Sequence, residues 1–220
     1  MKLKISFFVL LLVFSLENTS AQSWLYKLPI DWDIHLGGGY FTAGNLKRMT
    51  DAQGVKGFPP LGLDMNIGLG YRLGKVSIGA NFGNLQSKRS DNQTNVNTIT
   101  AFVATNIWHV GRWTFSPAVG VGPQIATIVL DRGDLTGNFE EYIGEKGNQT
   151  RLQQVNTALD FSLTFKTYEL LTARYRPQFR MGYQTGLSDA AWKVGNTSLI
   201  NAPRDRTGMF YLQISAGIGR

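Results

Sequence analysis

The sequence predicts an all-β fold: a closed, antiparallel, eight-stranded transmembrane β-barrel in an up-and-down meander. Three observations carry this. Apolar and polar residues alternate with period two through runs of ten or more residues. Charges and glycines gather on the face opposite the apolar one. Aromatic residues gather near the strand ends. Period two is the mark of a strand with unlike faces, and runs of this length suffice for a tilted strand to cross a bilayer.

The clearest run is Gln154–Gln184. Val155, Leu159, Phe161, Leu163 and Phe165, then Leu171, Ala173, Tyr175, Phe179, Met181 and Tyr183, share one parity. Asp160, Ser162, Thr164, Arg174, Arg176, Gln178 and Arg180 share the other. The break at Lys166–Leu170 is short, so the two runs read as a hairpin of strands six and seven. Before it, strand one spans Trp32–Phe41, with Asp33 and His35 opposite Trp32, Ile34, Leu36 and Tyr40. A polar loop over Thr42–Pro60 follows. Strand two, Leu61–Tyr71, alternates strictly, with Asp64 on its polar face, and Arg72–Lys75 is a tight turn into strand three, Val76–Asn84.

A polar loop is expected over Leu85–Asn95, then strand four, Val96–Trp108, whose parity is ambiguous because Phe102 falls among its polar residues. His109–Arg112 is a second tight turn. Strand five runs from Trp113 to about Ile128 and carries Pro117 and Pro123. A proline removes a ladder donor, so a bulge is expected near Pro117, and Pro177 in strand seven prompts the same expectation. A Gly-rich acidic loop covers about Leu130–Leu152, holding Asp131, Asp134, Glu140, Glu141 and Glu145, and reads as a solvated loop rather than a cation site. A last loop, Thr185–Arg206, precedes strand eight, Thr207–Gly219. Both ends of the barrel sequence then lie on the short-turn side, with four large loops on the other.

Residues 1–21 read as a cleaved signal peptide: Lys2 and Lys4, an apolar Ile5–Leu16 too short to span as a helix, and Thr19-Ser20-Ala21 for cleavage. Residues 22–220 are then one barrel domain. Of 22 Lys+Arg and 15 Asp+Glu, removing Lys2, Lys4 and Glu17 leaves 20 and 14, a charge of +6. For an exported chain without a basic helix, nucleic acid is not the expected partner; outer-membrane lipid and lipopolysaccharide are. Another envelope protein could meet the long loops. With no cysteine there is no disulfide framework, and a closed hydrogen-bonded barrel supplies the cohesion instead.

Two features set the apolar face outward, toward lipid. The opposite face carries a set of lumen charges: Asp33, His35, Asp64, Asp160, Arg174, Arg176 and Arg180. The aromatics form two girdles: Trp32, Tyr71, Trp108, Trp113 and Tyr168 toward the short turns, and Tyr40, Tyr183 and Phe210 toward the long loops, as expected at the two bilayer interfaces. With signal peptide, strand count, loop asymmetry and girdles in place, the chain resembles the small eight-stranded outer-membrane barrels of the OmpX and OmpA transmembrane-domain type. The resemblance implies an integral outer-membrane location in a Gram-negative cell envelope with both termini periplasmic. Such barrels commonly end in an aromatic residue, whereas this chain reads Ile218-Gly219-Arg220.

Eight strands enclose little more than side chains, so the charges should pair across the lumen. The sequence therefore implies a structural anchor or surface-interaction scaffold, its lumen closed by polar and ionic packing, with Trp192 of the last loop as a candidate partner contact. One alternative is a narrow, porin-like channel favouring anions through Arg174, Arg176 and Arg180. Another is a lipid-modifying enzyme, which needs a nucleophile, a base and an orienting carboxylate. His35 has Asp33 two residues away on its face and Ser77 on the same-parity face of another strand, which sequence does not bring together. The His and Ser closely spaced on one strand that a resemblance to a lipid A deacylase would require are missing. The pattern from Gly68 to Gly74 precedes a hairpin turn rather than a helix, so it is no nucleotide site. No catalytic residue, cofactor or metal site is assigned.

Overall fold

The computed structural model describes residues 29–52, 57–90, 92–111, 113–131, 149–167, 176–194, 197–198 and 202–218. Eight staves form the barrel: β1 (Ile30–Thr42), β2 (Leu61–Leu73), β3 (Val76–Arg89), β4 (Asn92–Thr105) continued by β5 (Trp108–Val110), β6 (Trp113–Asp131), β7 (Gln149–Thr167), β8 (Arg176–Gly186) and β13 (Gly208–Ile218). Each pairs antiparallel with its neighbours in sequence, and β1 pairs with β13, so the ring closes without a free edge. Between β8 and β13 lie four two-residue strands, β9 (Ala190–Ala191), β10 (Lys193–Val194), β11 (Thr197–Ser198) and β12 (Arg204–Asp205). A single helix is described, α1 (Gly44–Ala52), in the loop expected to be irregular. No described helix is long and apolar enough to cross a membrane. The leader assigned to residues 1–21 lies outside the described residues.

The outward faces carry a continuous apolar belt, including Trp32, Leu36, Leu63, Phe82, Ile99, Val119, Phe161 and Ile214, all exposed. The inward faces of the same strands are buried and polar over much of their length. This is the inverse of a soluble barrel. A backbone in hydrocarbon has no water to bond, so closure of the ladder and an outward apolar belt together define a membrane-spanning barrel.

Several strands outrun their predicted ends, and the reason is physical. β3 and β4 continue through the supposed Leu85–Asn95 loop and meet at a tight turn around Ser90, which has φ 54°. There the two faces exchange character: Leu85 and Val96 point inward and are fully buried, while Gln86, Lys88, Gln93 and Asn95 point outward. The same inversion extends β6 to Asp131, with Ala126, Ile128 and Leu130 inward, and starts β7 at Gln149, with Leu152 inward. Beyond the bilayer the outward face meets water, so a strand with a polar outer face reads as a loop when lipid is assumed throughout. The expected set of four large loops is thereby reduced, because the second is a hairpin turn.

The parity of strand four is now defined. Ile99, Ala101 and Val103 face out, and Phe102 faces the lumen beside Gly70 and Gly120. Of the proline expectations, the bulge near Pro117 is found, although on the partner stave, and none is found at Pro177. Register between β6 and β7 is unbroken from Trp113↔Thr167 to Asp131↔Gln149, through both Pro117 and Pro123. Pro177 also pairs in register with Ala216, close to the start of β8 where the ladder to β7 has ended, so its missing N–H costs little. The one-residue offset lies on the partner stave instead. Pairing steps from Ala104↔Ala118 to Trp108↔Phe115, placing the extra residue between Thr105 and Ile107, opposite Pro117. That offset leaves both Ile107 and Trp108 facing out.

The β4–β6 ladder is interrupted where Ile99 and Thr100 face Pro123 and Gly122. A Cβ on Gly122 would collide with the Ile99 carbonyl, whereas one on Gly44 would meet nothing. Gly122→Val is expected to lower stability by about 1–3 kcal/mol through overpacking, read as an earlier urea midpoint in detergent, while Gly44→Ala leaves the midpoint within experimental scatter.

Candidate functional site

The lumen has two zones set by the strand sequences. Toward the short turns the inward residues are Asp33, His35, Asn66, Asn81, Thr100, Ser116, Asp160, Ser162, Gln178, Arg180, Gln213 and Ser215, all but Asp33 buried below a tenth exposed. Toward the long loops they include the apolar Phe41, Leu85, Val96, Ala126, Ile128, Leu130, Leu152 and Met209, joined by Ala43, Leu46, Phe58 and Trp192 from the loops, and the buried polar Ser87, Thr94, Gln154 and Thr207. Tyr211 sits at the join.

The polar zone is organised on Asp160. Arg180, on the neighbouring strand, places Nη2 3.0 Å from Asp160 Oδ2, and Tyr211 donates its hydroxyl to Oδ1 at 2.7 Å. The guanidinium also lies 5.2 Å from the centre of the Tyr211 ring and donates to Ser162. Tyr211 pairs with Gly39 and Gly182, and its ring occupies the space left by Gly182, where a Cβ would overlap the phenol. Two further inward carboxylates are held by amides, not by cations. Gln178 donates to Asp33 at 2.8 Å and Gln213 to Asp64 at 2.6 Å. At the short-turn end Asp31 accepts from Arg72 on both oxygens at 2.7 Å. A cavity of about 50 Å³ is lined in part by Asp33, His35, Lys166, Gln178 and Arg180, room for water-sized molecules only.

The apolar zone is capped by the first and last loops. Asp205, in β12 and 2 % exposed, accepts from the backbone N–H of Asn45 at 2.7 Å and of Leu46 at 3.0 Å. Those are orphan donors of the first turn of α1, which has no acidic residue of its own there. The same carboxylate accepts the Trp192 indole N–H at 2.8 Å. Two inward amides of β7 hold the last loop in the mouth: Gln154 donates to Ala190 O at 2.6 Å and Asp205 O at 3.0 Å, and Asn156 to Ser188 O at 2.7 Å.

These positions correct two expectations. Trp192 is 0 % exposed and folds into the barrel mouth, so it is not a surface contact for a partner. The outer half of the lumen holds a cluster of apolar side chains beside buried polar ones such as Thr94, Gln154 and Thr207, so the packing there is not polar and ionic alone. Of the charges singled out, Asp160 and Arg180 are brought into one ion pair, between adjacent strands rather than across the lumen. Asp33 and His35 line the cavity with Arg180, and Asp64 sits apart with Gln213. Arg174 and Tyr168 lie outside the described residues, as does the side chain of Arg176. The remaining girdle residues, Trp32, Tyr40, Tyr71, Trp108, Trp113, Tyr183 and Phe210, all face out and are 45–60 % exposed. His109 bonds only Thr114 among the interactions described, at 2.9 Å. No group of three or more His, Cys, Asp or Glu among the described residues could hold a metal ion. Sequence reasoning missed Asp205 and Tyr211. Tyr211 was legible as an inward aromatic facing glycines; Asp205 had no periodic pattern to mark it.

No protein-family model matches the chain, and no curated protein does. Solved structures do match. Neisserial surface protein A aligns at a TM-score of 0.54 with 11 % identity, over 87 % of this chain and 97 % of that one. Ail, the attachment invasion locus protein of Yersinia pestis, aligns at 0.50 with 9 % identity, over 86 % and 97 %. The outer membrane protease OmpT from Escherichia coli aligns at 0.43 with 10 % identity, over 86 % and 96 %. At such identities a match shows fold alone. The chain has the fold of the small eight-stranded outer-membrane barrels, closed and antiparallel.

Breaking the Asp160–Arg180 pair from one side leaves an uncompensated charge in a buried site. Arg180→Met and Asp160→Asn are each expected to cost about 3–5 kcal/mol, and the double variant less than their sum, measured by urea unfolding followed through tryptophan fluorescence.

Proposed function

We propose that this chain is an integral outer-membrane protein with a sealed lumen, acting as a rigid anchor that presents its long-loop end as an interaction surface. Both termini of the chain then face the periplasm, and the long-loop end faces outward. The observation that carries this reading is the apolar block beneath the first and last loops, with Trp192 fully buried in it. A polar lumen alone could hold a file of water and ions. An apolar constriction resists wetting, so an ion there would lose its hydration shell without replacement. The ion pairs and amide–carboxylate bonds below it add rigidity but do not have to provide the seal.

Exposed residues at the long-loop end fit a contact role. Lys47, Arg48, Lys88, Arg89, Arg151, Lys193, Arg204 and Arg206 are all exposed there, against exposed Asp51 and Asp189 among the described residues. Arg206 stands 3.7 Å from Asp189, with both side chains 60 % exposed, a pair too solvated to neutralise the surface strongly. Outer-leaflet lipid, lipopolysaccharide or an acidic envelope partner suits these exposed cations, while the acidic stretch over Asp131–Glu145 lies largely outside the described residues. The arrangement gives no support to catalysis: His35 has no nucleophile bonded to it among the described interactions, and it sits at the wrong end of the lumen to meet an outer-leaflet substrate.

Planar-bilayer recording from the purified full chain tests the seal. The unaltered protein should show no stable open level, and Trp192→Ala, which removes the largest side chain of the block, should produce brief or lasting openings. A stable open level in the unaltered chain would overturn the sealed-lumen reading.

A further inference from the structure

We infer that the outer face of the β3–β4 hairpin is a recognition site for a phosphorylated glycolipid of the membrane leaflet at the long-loop end. This rests on the reading of the chain as a membrane barrel and adds a named surface and a ligand chemistry. Three asparagines make the core of the site. Asn84 on β3 and Asn95 and Asn97 on β4 all have outward parity. Asn84 Nδ2 donates to Asn97 Oδ1 at 2.7 Å and to Asn95 Oδ1 at 3.0 Å, and Asn97 Nδ2 donates to Asn95 Oδ1 at 3.1 Å.

Their setting is unusual for solvated strand residues. Directly below them the paired residues Phe82 and Ile99 are 52 % and 49 % exposed and belong to the lipid belt. On either side, the residues paired with the cluster are apolar and exposed: Met65 beside Asn84 on β2 and Ile125 beside Asn97 on β6. The cluster is thus a polar notch cut into the upper edge of the apolar belt. Above it along β3 come Gln86 and then Lys88, the latter paired with Gln93. Each two-residue step advances about 7 Å along the strand, and the lysine stem lets its ammonium reach back toward the membrane surface.

From bottom to top the face therefore reads apolar, amide, cation. A side-chain amide both donates and accepts, which matches the hydroxyls of a sugar. An ammonium matches a phosphate. The apolar row matches acyl chains. A phosphorylated glycolipid presents these chemistries together, while an anionic phospholipid with a small headgroup offers the phosphate and chains but leaves the amides without sugar hydroxyls. A protein partner is disfavoured because the notch lies against the belt, where lipid surrounds it.

The test uses the full chain reconstituted in phosphatidylcholine bilayers, alone, with phosphatidylglycerol, or with purified lipopolysaccharide. Lipopolysaccharide should raise the thermal midpoint more than phosphatidylglycerol does and should remain with the barrel through gel filtration. The triple variant Asn84→Ala, Asn95→Ala, Asn97→Ala should bind it about tenfold more weakly, the loss expected from removing two or so hydrogen bonds, and should respond to phosphatidylglycerol as the unaltered chain does. Lys88→Ala should weaken the response to both anionic lipids. Heat-modifiable gel migration verifies folding. Should the triple variant not fold, Asn97→Leu, which matches the apolar residues around it, carries the same measurement. Equal effects of the two anionic lipids, or full retention of lipopolysaccharide by a folded asparagine variant, overturns the site. Failure of the unaltered chain to insert into any bilayer would instead sink the membrane-anchor reading.

Discussion

Backbone hydrogen bonding in a medium without water is the constraint on which this structure depends. Every N–H and C=O within the bilayer must find a partner in the chain, and an open sheet would leave two edges bare. Pairing of β1 with β13, in register from Trp32↔Ile218 to Thr42↔Gly208, removes those edges. Once the ring is closed at eight staves, its interior is narrow, and the size of each inward side chain is limited by its neighbours. The glycines follow from that limit. Gly39 and Gly182 flank Tyr211, and Gly70 and Gly120 border Phe102. Large inward rings sit where the adjoining strands give up their side chains.

The alternation that made the strands legible has its cause in solvent rather than in the strand itself. Within the belt, lipid selects apolar residues outside and the narrow lumen selects small or polar ones inside. The Gln154–Gln184 stretch, and Leu61–Tyr71 with its strict alternation, lie largely in that regime and could be read directly. Where β3, β4, β6 and β7 rise above the belt, water touches the outside and the loops cover the inside, so apolar residues move inward. Leu85, Val96, Ile128 and Leu152 keep the period and change the face. A reading that fixes one face as apolar loses the strand at the crossing point, and the lost ends were those at Asn84, Val96, Ile128 and Gln154. Proline marked a bulge without marking the strand that carries it. Pro117 and Pro123 hold register with β7, and the extra residue lies on the β4–β5 stave opposite Pro117.

The site was only partly legible for a related reason. Arg180 and Asp160 stand on adjacent strands with known parity, so their meeting in the lumen was a question of register. Trp192 and Asp205 belong to a loop with no period to place them. Their positions depend on a capping event between distant segments, in which the carboxylate of the last loop satisfies the first turn of α1 from the first loop. Nothing local in GNLKRMTDA supplies that cap. An exposed tryptophan on a loop suggests a partner, but the partner here is the barrel's own apolar mouth.

The division of the lumen into a polar and an apolar half has a consequence for how charge is tolerated in it. Asp160 and Arg180 lie beneath the apolar block, and Tyr211 spans the join, bonding the carboxylate with its hydroxyl while its ring packs with the block. Excluding water from above strengthens the attraction between the pair and raises the cost of separating it. The block and the ion pair therefore support each other: the block covers the pair from the long-loop side, and the pair holds the hydroxyl of the tyrosine that packs with the block. Loosening Trp192 would admit water to the block first and reach the carboxylate only through Tyr211. A channel built on the arginines of β8 would need both layers to yield, whereas an anchor needs neither to move.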